Sequence, residues 1–378
     1  MPRLTGLALI LLLAAPLQAL AQDTPTKGGG QASPSKNGAA KQPQIPGALK
    51  WLAARQGADG AWGSKDKLAL TGMSGLALLA SGSTPRQGPY AEHIRRAIRF
   101  VLACQKGDGR AFKHASSGYS AIHNHGYALL FLTQCYGEAG ALDDKLAYAI
   151  QQGVKATVAS QFGGGKNKAS DGGFGYFLYQ KEGISRHPNM WRVDEASTTV
   201  SQIQALRGAR NAGFSVPRRA LERAGDYLAR CVHPKTGGFV YSVGNYRVSL
   251  EEGSNRPTFA ITAAGAAVLH ALGRYRSTLV ENGIVYMEAF LPPTKRRTPF
   301  YYYGHYYAAQ VMHMRGGARG KRWLDAIRIE LAERQRENGQ WGPDAKDTLE
   351  SSDSAILNTA WALQVCLIDR GFLPLHER

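Results

Sequence analysis

The segment Gln56-Gly57-Ala58-Asp59-Gly60-Ala61-Trp62-Gly63 returns near the far end of the chain as Gln335-Arg336-Glu337-Asn338-Gly339-Gln340-Trp341-Gly342. Weaker copies lie between them: Gln105-Lys106-Gly107-Asp108-Gly109 running to Phe112, Asp171-Gly172-Gly173-Phe174-Gly175, and Lys235-Thr236-Gly237-Gly238-Phe239. A fifth, degenerate unit places Pro299-Phe300-Tyr301 at the equivalent point. The aromatic markers at 62, 112, 174, 239, 300 and 341 leave 41 to 65 residues between neighbours, enough for two helices each. A chain repeating at such a period is built of units that bury their apolar faces only by stacking on one another.

The local chemistry specifies what each unit does. Asp-Gly or Asn-Gly after a helical run supplies the left-handed residue that ends a helix and turns the chain. The aromatic residue that follows fills the wedge beside that turn. The helix before the turn carries a polar face, as in Glu92–Phe100 or Arg218–Arg223, whereas the helix after it is apolar nearly all round, as in Thr71–Leu79 or Asn358–Leu363. Helices of the second kind are buried and those of the first are half-exposed. Six such hairpins predict an all-α fold, an inner ring of helices within an outer one. Closed as an α/α toroid, the ring has no open ends to cap.

Residues 46–378 are assigned to this toroid. Before them, Arg3, the apolar run Leu7–Ala15 and Ala19-Leu20-Ala21 read as a secretory signal on residues 1–21, cleaved after Ala21. The run is too short for a membrane span of roughly 30 Å, so no transmembrane segment is expected. Residues 22–45 are mostly Gly, Ser, Pro, Lys, Gln and Ala without an aromatic and read as a flexible linker. A secreted or periplasmic protein follows, expected to act as a monomer. Hydrophobic content of 44% with 20% charged residues excludes a disordered or collagen-like chain. The net charge is +18, and removing Arg3 and the +2 of the linker leaves +15 on the ring. Such basicity suits a polyanion. Export and the lack of a nucleic-acid module argue against nucleic acid.

The Gln56–Gly63 and Gln335–Gly342 segments resemble the QW repeat of squalene and terpene cyclases, and the hairpin grammar resembles the wider superfamily that includes protein prenyltransferase β subunits. The resemblance covers about residues 46–378 and implies the toroid fold. Its chemistry is not carried over. The Asp-x-Asp-Asp acid motif of class II cyclases is absent, and the one Asp-Asp, Asp143-Asp144, is placed to cap an outer helix. Where a prenyltransferase has its zinc-binding His, this chain has Asn358, with no Asp-x-Cys before it. The Gly-Cys-Gly-Glu-Gln thioester of complement-type toroids is missing too.

Aligning the inner helices on their starts puts Thr71, His125, Thr199, Thr262, His305 and Thr359 in equivalent slots. His125, Asp194, His305 and Asp353 are therefore the candidate catalytic groups. An N-cap role competes for both aspartates, and a hydrogen-bonded core role for both histidines. His123, Asn124, Glu195, Arg256, Tyr303 and Tyr306 are candidate ligand contacts, with Arg256 opening the fourth inner helix. No fixed metal-ligand spacing is present, and neither a metal nor another cofactor is predicted. The run Tyr301-Tyr302-Tyr303-Gly304-His305-Tyr306-Tyr307 forms an aromatic wall suited to an isoprenoid chain or to stacked sugars. Cys104, Cys135, Cys231 and Cys366 fall on helix positions too far apart for disulfides and are expected to be free. Three functions stay open: a toroid binding an isoprenoid-like or other amphipathic ligand in its cavity, a secreted lyase or glycoside hydrolase acting on acidic polysaccharide, and an interaction scaffold.

Overall fold

The computed structural model describes residues 41–105, 110–117, 121–163, 168–178, 194–244, 256–294, 296, 298–342 and 352–376. Residues 1–40, which hold the expected signal and most of the expected linker, lie outside the described residues. Twelve α-helices occur among them, and no strand longer than an isolated bridge. Outer and inner helices alternate: α1 (Ile45–Ala53) with α2 (Lys67–Ala80), α3 (Ala91–Ala103) with α4 (Ala121–Cys135), and α5 (Asp143–Ser160) with α6 (Ala196–Asn211). The series continues with α7 (Arg218–Arg230) and α8 (Phe259–Leu269), α9 (Thr278–Glu288) and α10 (Tyr301–Arg315), and α11 (Gly317–Arg334) and α12 (Ser352–Leu367). The inner helices pack in the order α2, α4, α6, α8, α10, α12 and back to α2, closing the ring.

Burial divides the helices as their composition dictates. Every residue of α2 except Lys67 is buried, whereas α3 buries Ile94, Ala97, Ile98 and Val101 on one stripe. All four cysteines are free.

The repeat residues turn out to be the joints between neighbouring hairpins. Gln56 Nε2 donates to the Gly60 carbonyl (2.9 Å), closing its own turn, and to the His93 carbonyl (2.9 Å) on the next outer helix. Gln105 repeats this with Arg110 and Ala149 (3.1 and 3.0 Å), and Gln335 with Gly339 and Gln44 (2.8 and 3.2 Å). Gln161 does the same with Gly172 and Ala220 (both 2.9 Å), although its ten-residue distance from Asp171 hid it from the repeat pattern. The glycine of the turn is required twice over. Gly60 has φ +87°, and a Cβ there would lie 2.6 Å from the Arg96 carbonyl oxygen of α3. The indole N–H groups of Trp62 and Trp341 donate to Leu52 and Leu331 carbonyls (2.7 and 2.8 Å), satisfying groups at the ends of α1 and α11.

The equivalent slots on the inner helices complete each joint. Thr71, Thr199, Thr262 and Thr359 accept through Oγ1 from the backbone N–H of Trp62, Phe174, Phe239 and Trp341, at 2.9–3.1 Å. In the second unit His125 Nδ1 accepts from Phe112 N–H (3.2 Å). The fifth unit corrects the expectation at Pro299-Phe300-Tyr301. Phe300 is the left-handed N-cap of α10 (φ 59°) and leads straight into the helix, so no loop returns to slot residue His305.

The C-terminal segment lies across the ring at the C-terminal ends of the inner helices. Leu373 and Leu375 are buried, Leu375 N–H donates to Gln134 Oε1 of α4 (3.0 Å), and Arg207 of α6 donates to the Leu375 carbonyl (3.2 Å). Among the described residues no helix is long and apolar enough to cross a membrane.

Candidate functional site

The inner helices bring a set of aromatic and polar side chains to the middle of the ring. Tyr303, Tyr306 and Tyr307 come from α10, Tyr127 and His123 from α4, Trp361 from α12, and Glu195 from the residue before α6. Tyr303 meets Trp361 edge-on (centroids 5.7 Å apart), Tyr306 lies parallel to the same indole (6.5 Å), and Tyr307 packs on both tyrosines (4.9 and 4.8 Å). Offset and edge-to-face pairs of this kind fix ring orientation as well as burying area. Below them, Tyr307 Oη donates to Gln204 Oε1 (3.0 Å) and Gln204 Nε2 to Gln310 Oε1 (2.8 Å). That amide pair makes a polar floor above the C-terminal segment.

Glu195 is held by its backbone, whose N–H donates to the Phe174 carbonyl (2.9 Å) beside the repeat turn. Its side chain is fully buried, which raises the carboxyl to about 8. The Ser197 and Tyr176 hydroxyls act in the lowering direction, and Asp194 adds to the rise. Loss of hydration disfavours the charged form, so the group is a neutral acid at pH 7. Ser197 Oγ donates to Oε1 (2.6 Å), whereas Oε2 has no hydrogen-bond partner. Ser197 Oγ also lies 3.3 Å from His123 Nε2. Burial lowers His123 to about 3, which keeps it neutral. The hydroxyls of Tyr303 and Tyr306 and the indole N–H of Trp361 are likewise buried without a partner. Unpaired buried polar atoms are costly, and here four belong to one aromatic cluster.

Of the ten sequence candidates, His123, Glu195, Tyr303 and Tyr306 share this centre. The others are placed elsewhere. Asp194 accepts from Ser170 Oγ (3.1 Å), Tyr227 Oη (2.6 Å), Ser242 Oγ (3.2 Å) and Val243 N–H (3.0 Å), so both its oxygens are occupied by the joint between the third and fourth hairpins. Asp353 accepts from Ser64 N–H and Oγ and from Lys65 N–H (2.9–3.2 Å), tying the sixth hairpin to the first. Asn124 accepts from Ala69 N–H and donates to Asp66 (3.1 and 2.7 Å), tying the first to the second. His125 is the slot residue described above, and its Nε2 faces Thr157 Oγ1 at 3.0 Å.

His305 lies between the rings, packed on Phe259, Tyr301 and Trp323 (4.8, 4.5 and 5.8 Å), with neither ring nitrogen partnered and burial lowering it to about 3. Arg256 is exposed and does not open α8, whose N-cap is Thr258 accepting from Ile261 N–H (3.3 Å). Asp143 starts α5 but accepts from Gly137 and Ala139 N–H (2.9 and 3.3 Å), so it caps the preceding turn and leaves its own helix uncapped. Among the described residues no three His, Cys, Asp or Glu side chains converge as a metal site.

Ser197, Tyr127, Gln204 and Trp361 belong to the centre and were not among the sequence candidates. A signal for two of them existed: Ser197 stands two residues after Glu195, and Trp361 two after slot residue Thr359. The other two carry no local mark.

No family model matches the chain, and no curated protein matches it in sequence. Solved structures do. The apo type II terpene cyclase MstE from Scytonema aligns over 87% of this chain and 97% of its own at 16% identity, with a TM-score of 0.59. An inactive variant of the α-1,6-mannanase GH76A of Salegentibacter sp., in complex with α-1,6-mannotriose, aligns over 86% and 98% at 10% identity, with a TM-score of 0.62. A protein from Actinoplanes aligns over 85% and 97% at 15% identity, with a TM-score of 0.55. Two such different enzymes on one backbone plan show that this fold does not by itself specify a chemistry. The chain is an α/α toroid, the fold it shares with these solved structures.

Proposed function

We propose that the aromatic centre of the ring opens into a chamber that binds an isoprenoid-like or other amphipathic ligand, in a protein exported by its N-terminal signal. The observation that carries this reading is the composition of the centre: Tyr303, Tyr306, Tyr307, Tyr127 and Trp361 surround a carboxyl group held neutral. An apolar chain gains contact with the aromatic walls. A hydroxyl or carbonyl at its head would meet the unpartnered Glu195 Oε2 and the Tyr303 and Tyr306 hydroxyls, which stay costly until something pairs with them. Another α/α toroid, a variant of the type II terpene cyclase MstE, was solved in complex with geranylgeranyl dihydroxybenzoate, its substrate.

The polysaccharide-enzyme reading has one observation in its favour, a carboxyl group raised to about 8 as a general acid requires. Glycoside hydrolysis needs a second carboxylate within about 5–10 Å. Among the described residues the neighbouring Asp194 has both oxygens engaged, and Arg256 lies outside the chamber.

Native mass spectrometry of protein purified from its own host tests the reading. An adduct of isoprenoid or lipid mass, lost on Tyr306→Arg while the fold persists by circular dichroism, is expected. A spectrum free of adducts, together with release of reducing or unsaturated sugar from uronate polymers, would overturn it.

A further inference from the structure

Two acidic residues stand side by side before α6, and both are fully buried. Every partner they have is uncharged. Asp194 accepts from the hydroxyls of Ser170, Tyr227 and Ser242 and from the Val243 N–H. Glu195 Oε1 accepts from Ser197 Oγ, and the Tyr176 hydroxyl acts on the same carboxyl. Among the described residues no lysine or arginine pairs with either group. A further anion brought to Glu195 would therefore meet two carboxyl groups and no paired cation, in a buried site where charges act strongly on one another.

The polar atoms left open at the centre differ in kind. Glu195 Oε2, the Tyr303 and Tyr306 hydroxyls and the Trp361 indole N–H have no hydrogen-bond partner. Tyr303 links the two ends of the set. Its ring lies 5.7 Å from the indole, and its phenol is raised by burial and then by Tyr127 and Glu195 beside it. The indole only donates, whereas a phenol donates or accepts. Glu195 Oε2 does one or the other according to which carboxyl oxygen carries the proton.

We propose that this centre selects an isoprenoid-like alcohol over the phosphate ester, the carboxylic acid and the amine of the same chain, with Glu195 as a specificity-determining residue. The inference rests on the reading of the aromatic centre as a lipid chamber. A hydroxyl accepts from the indole or a phenol and also donates, so it pairs with Glu195 Oε2 wherever the carboxyl proton sits. A carboxylate or a phosphate only accepts, and carries an unpaired charge into a buried site. An ammonium only donates and leaves the indole N–H without a partner. A bare hydrocarbon leaves all four atoms as they are.

The test is calorimetric titration of the full chain at pH 7 with geranylgeraniol, geranylgeranyl diphosphate, geranylgeranoic acid, geranylgeranylamine and the hydrocarbon without a head group. The alcohol should bind about tenfold or more tightly than each of the others, the worth of one or two buried hydrogen bonds. Trp361→Phe should weaken the alcohol and leave the hydrocarbon unchanged. Glu195→Gln, whose amide N–H can meet a carboxylate, should narrow the preference for alcohol over acid at least threefold. Melting temperatures report whether both variants keep the fold. A diphosphate, acid, amine or hydrocarbon bound as tightly as the alcohol would overturn the proposal and leave a lipid chamber in place. Failure of all five probes would overturn the chamber itself, and the proposal with it.

Discussion

Gln335 closes the ring on Gln44. Its Nε2 donates to the Gln44 carbonyl at 3.2 Å, and its Oε1 accepts from the Gln44 N–H at 2.6 Å, across 291 positions of sequence. The same side chain holds its own turn through Gly339, so one glutamine fastens both the last repeat and the seam. Gln335→Ala should cost about 1–3 kcal/mol, the range for hydrogen bonds lost with partners left unpaired. Hydrogen exchange should show the loss concentrated in α1. Uniform loosening, or none, would contradict the role given to the seam.

The glycine of the repeat turn should be far less replaceable than a surface glycine of the same conformation. Gly339 (φ +90°) would place a Cβ 2.7 Å from the Gly47 backbone, whereas Gly213 (φ +87°) faces open space. Gly213→Ala should cost about 1 kcal/mol for the left-handed backbone. Gly339→Ala adds a clash with backbone and should cost more than about 3 kcal/mol. Chemical denaturation of the two variants measures the difference, and equal losses would contradict the joint.

His125 and His305 occupy equivalent slots but should respond oppositely to Phe. His125→Phe strands the Phe112 N–H and should cost about 2 kcal/mol. His305→Phe removes a buried imidazole without partners and should be neutral or stabilising at pH 7. Burial lowers the folded pKa of His305 to about 3. The unfolded imidazole takes up a proton near 6.5 while the folded one does not, so stability is complete above 6.5 and is lost as pH falls towards 3. His305→Phe should therefore stabilise progressively more as pH falls from 6.5 towards 3. Parallel pH–melting curves for parent and variant would contradict this.

Glu195 titrates with the opposite sign. Its folded pKa of about 8 lies above the unfolded value of 4.5, so the folded state binds the extra proton between them. Its contribution is complete below 4.5 and is lost as pH rises through 8. Glu195→Gln should gain on the parent from pH 5 to pH 8, by about 3 °C or more in melting temperature. A constant difference across that range would place a charged carboxylate in the chamber.

The architecture was legible because the repeat residues act locally. Asp-Gly, Trp and the Gln before them close a turn whose chemistry lies within eight residues, and Thr71 or Thr359 marks the helix that receives it. The same slot misled the site reading. Alignment put His125 and His305 in view, yet that position faces the joint between rings, and the residues that reach the centre stand two positions to either side of it, such as His123, Tyr303 and Trp361. Asp194 was ambiguous for another reason: its four donors come from Ser170, Tyr227, Ser242 and Val243, which only the packing of two hairpins brings together. Glu195, beside it, bears no motif. Only burial against tyrosines of α10, more than a hundred residues away, gives it a proton at neutral pH.

The most direct test of the chamber is titration of the purified chain with geranylgeraniol followed by calorimetry. A single site on the parent is expected, weakened at least tenfold by Tyr306→Arg and by no more than threefold by the surface change Arg210→Ala. Absence of binding, or binding that Tyr306→Arg leaves intact, would contradict a ligand held among Tyr303, Tyr306, Trp361 and Glu195.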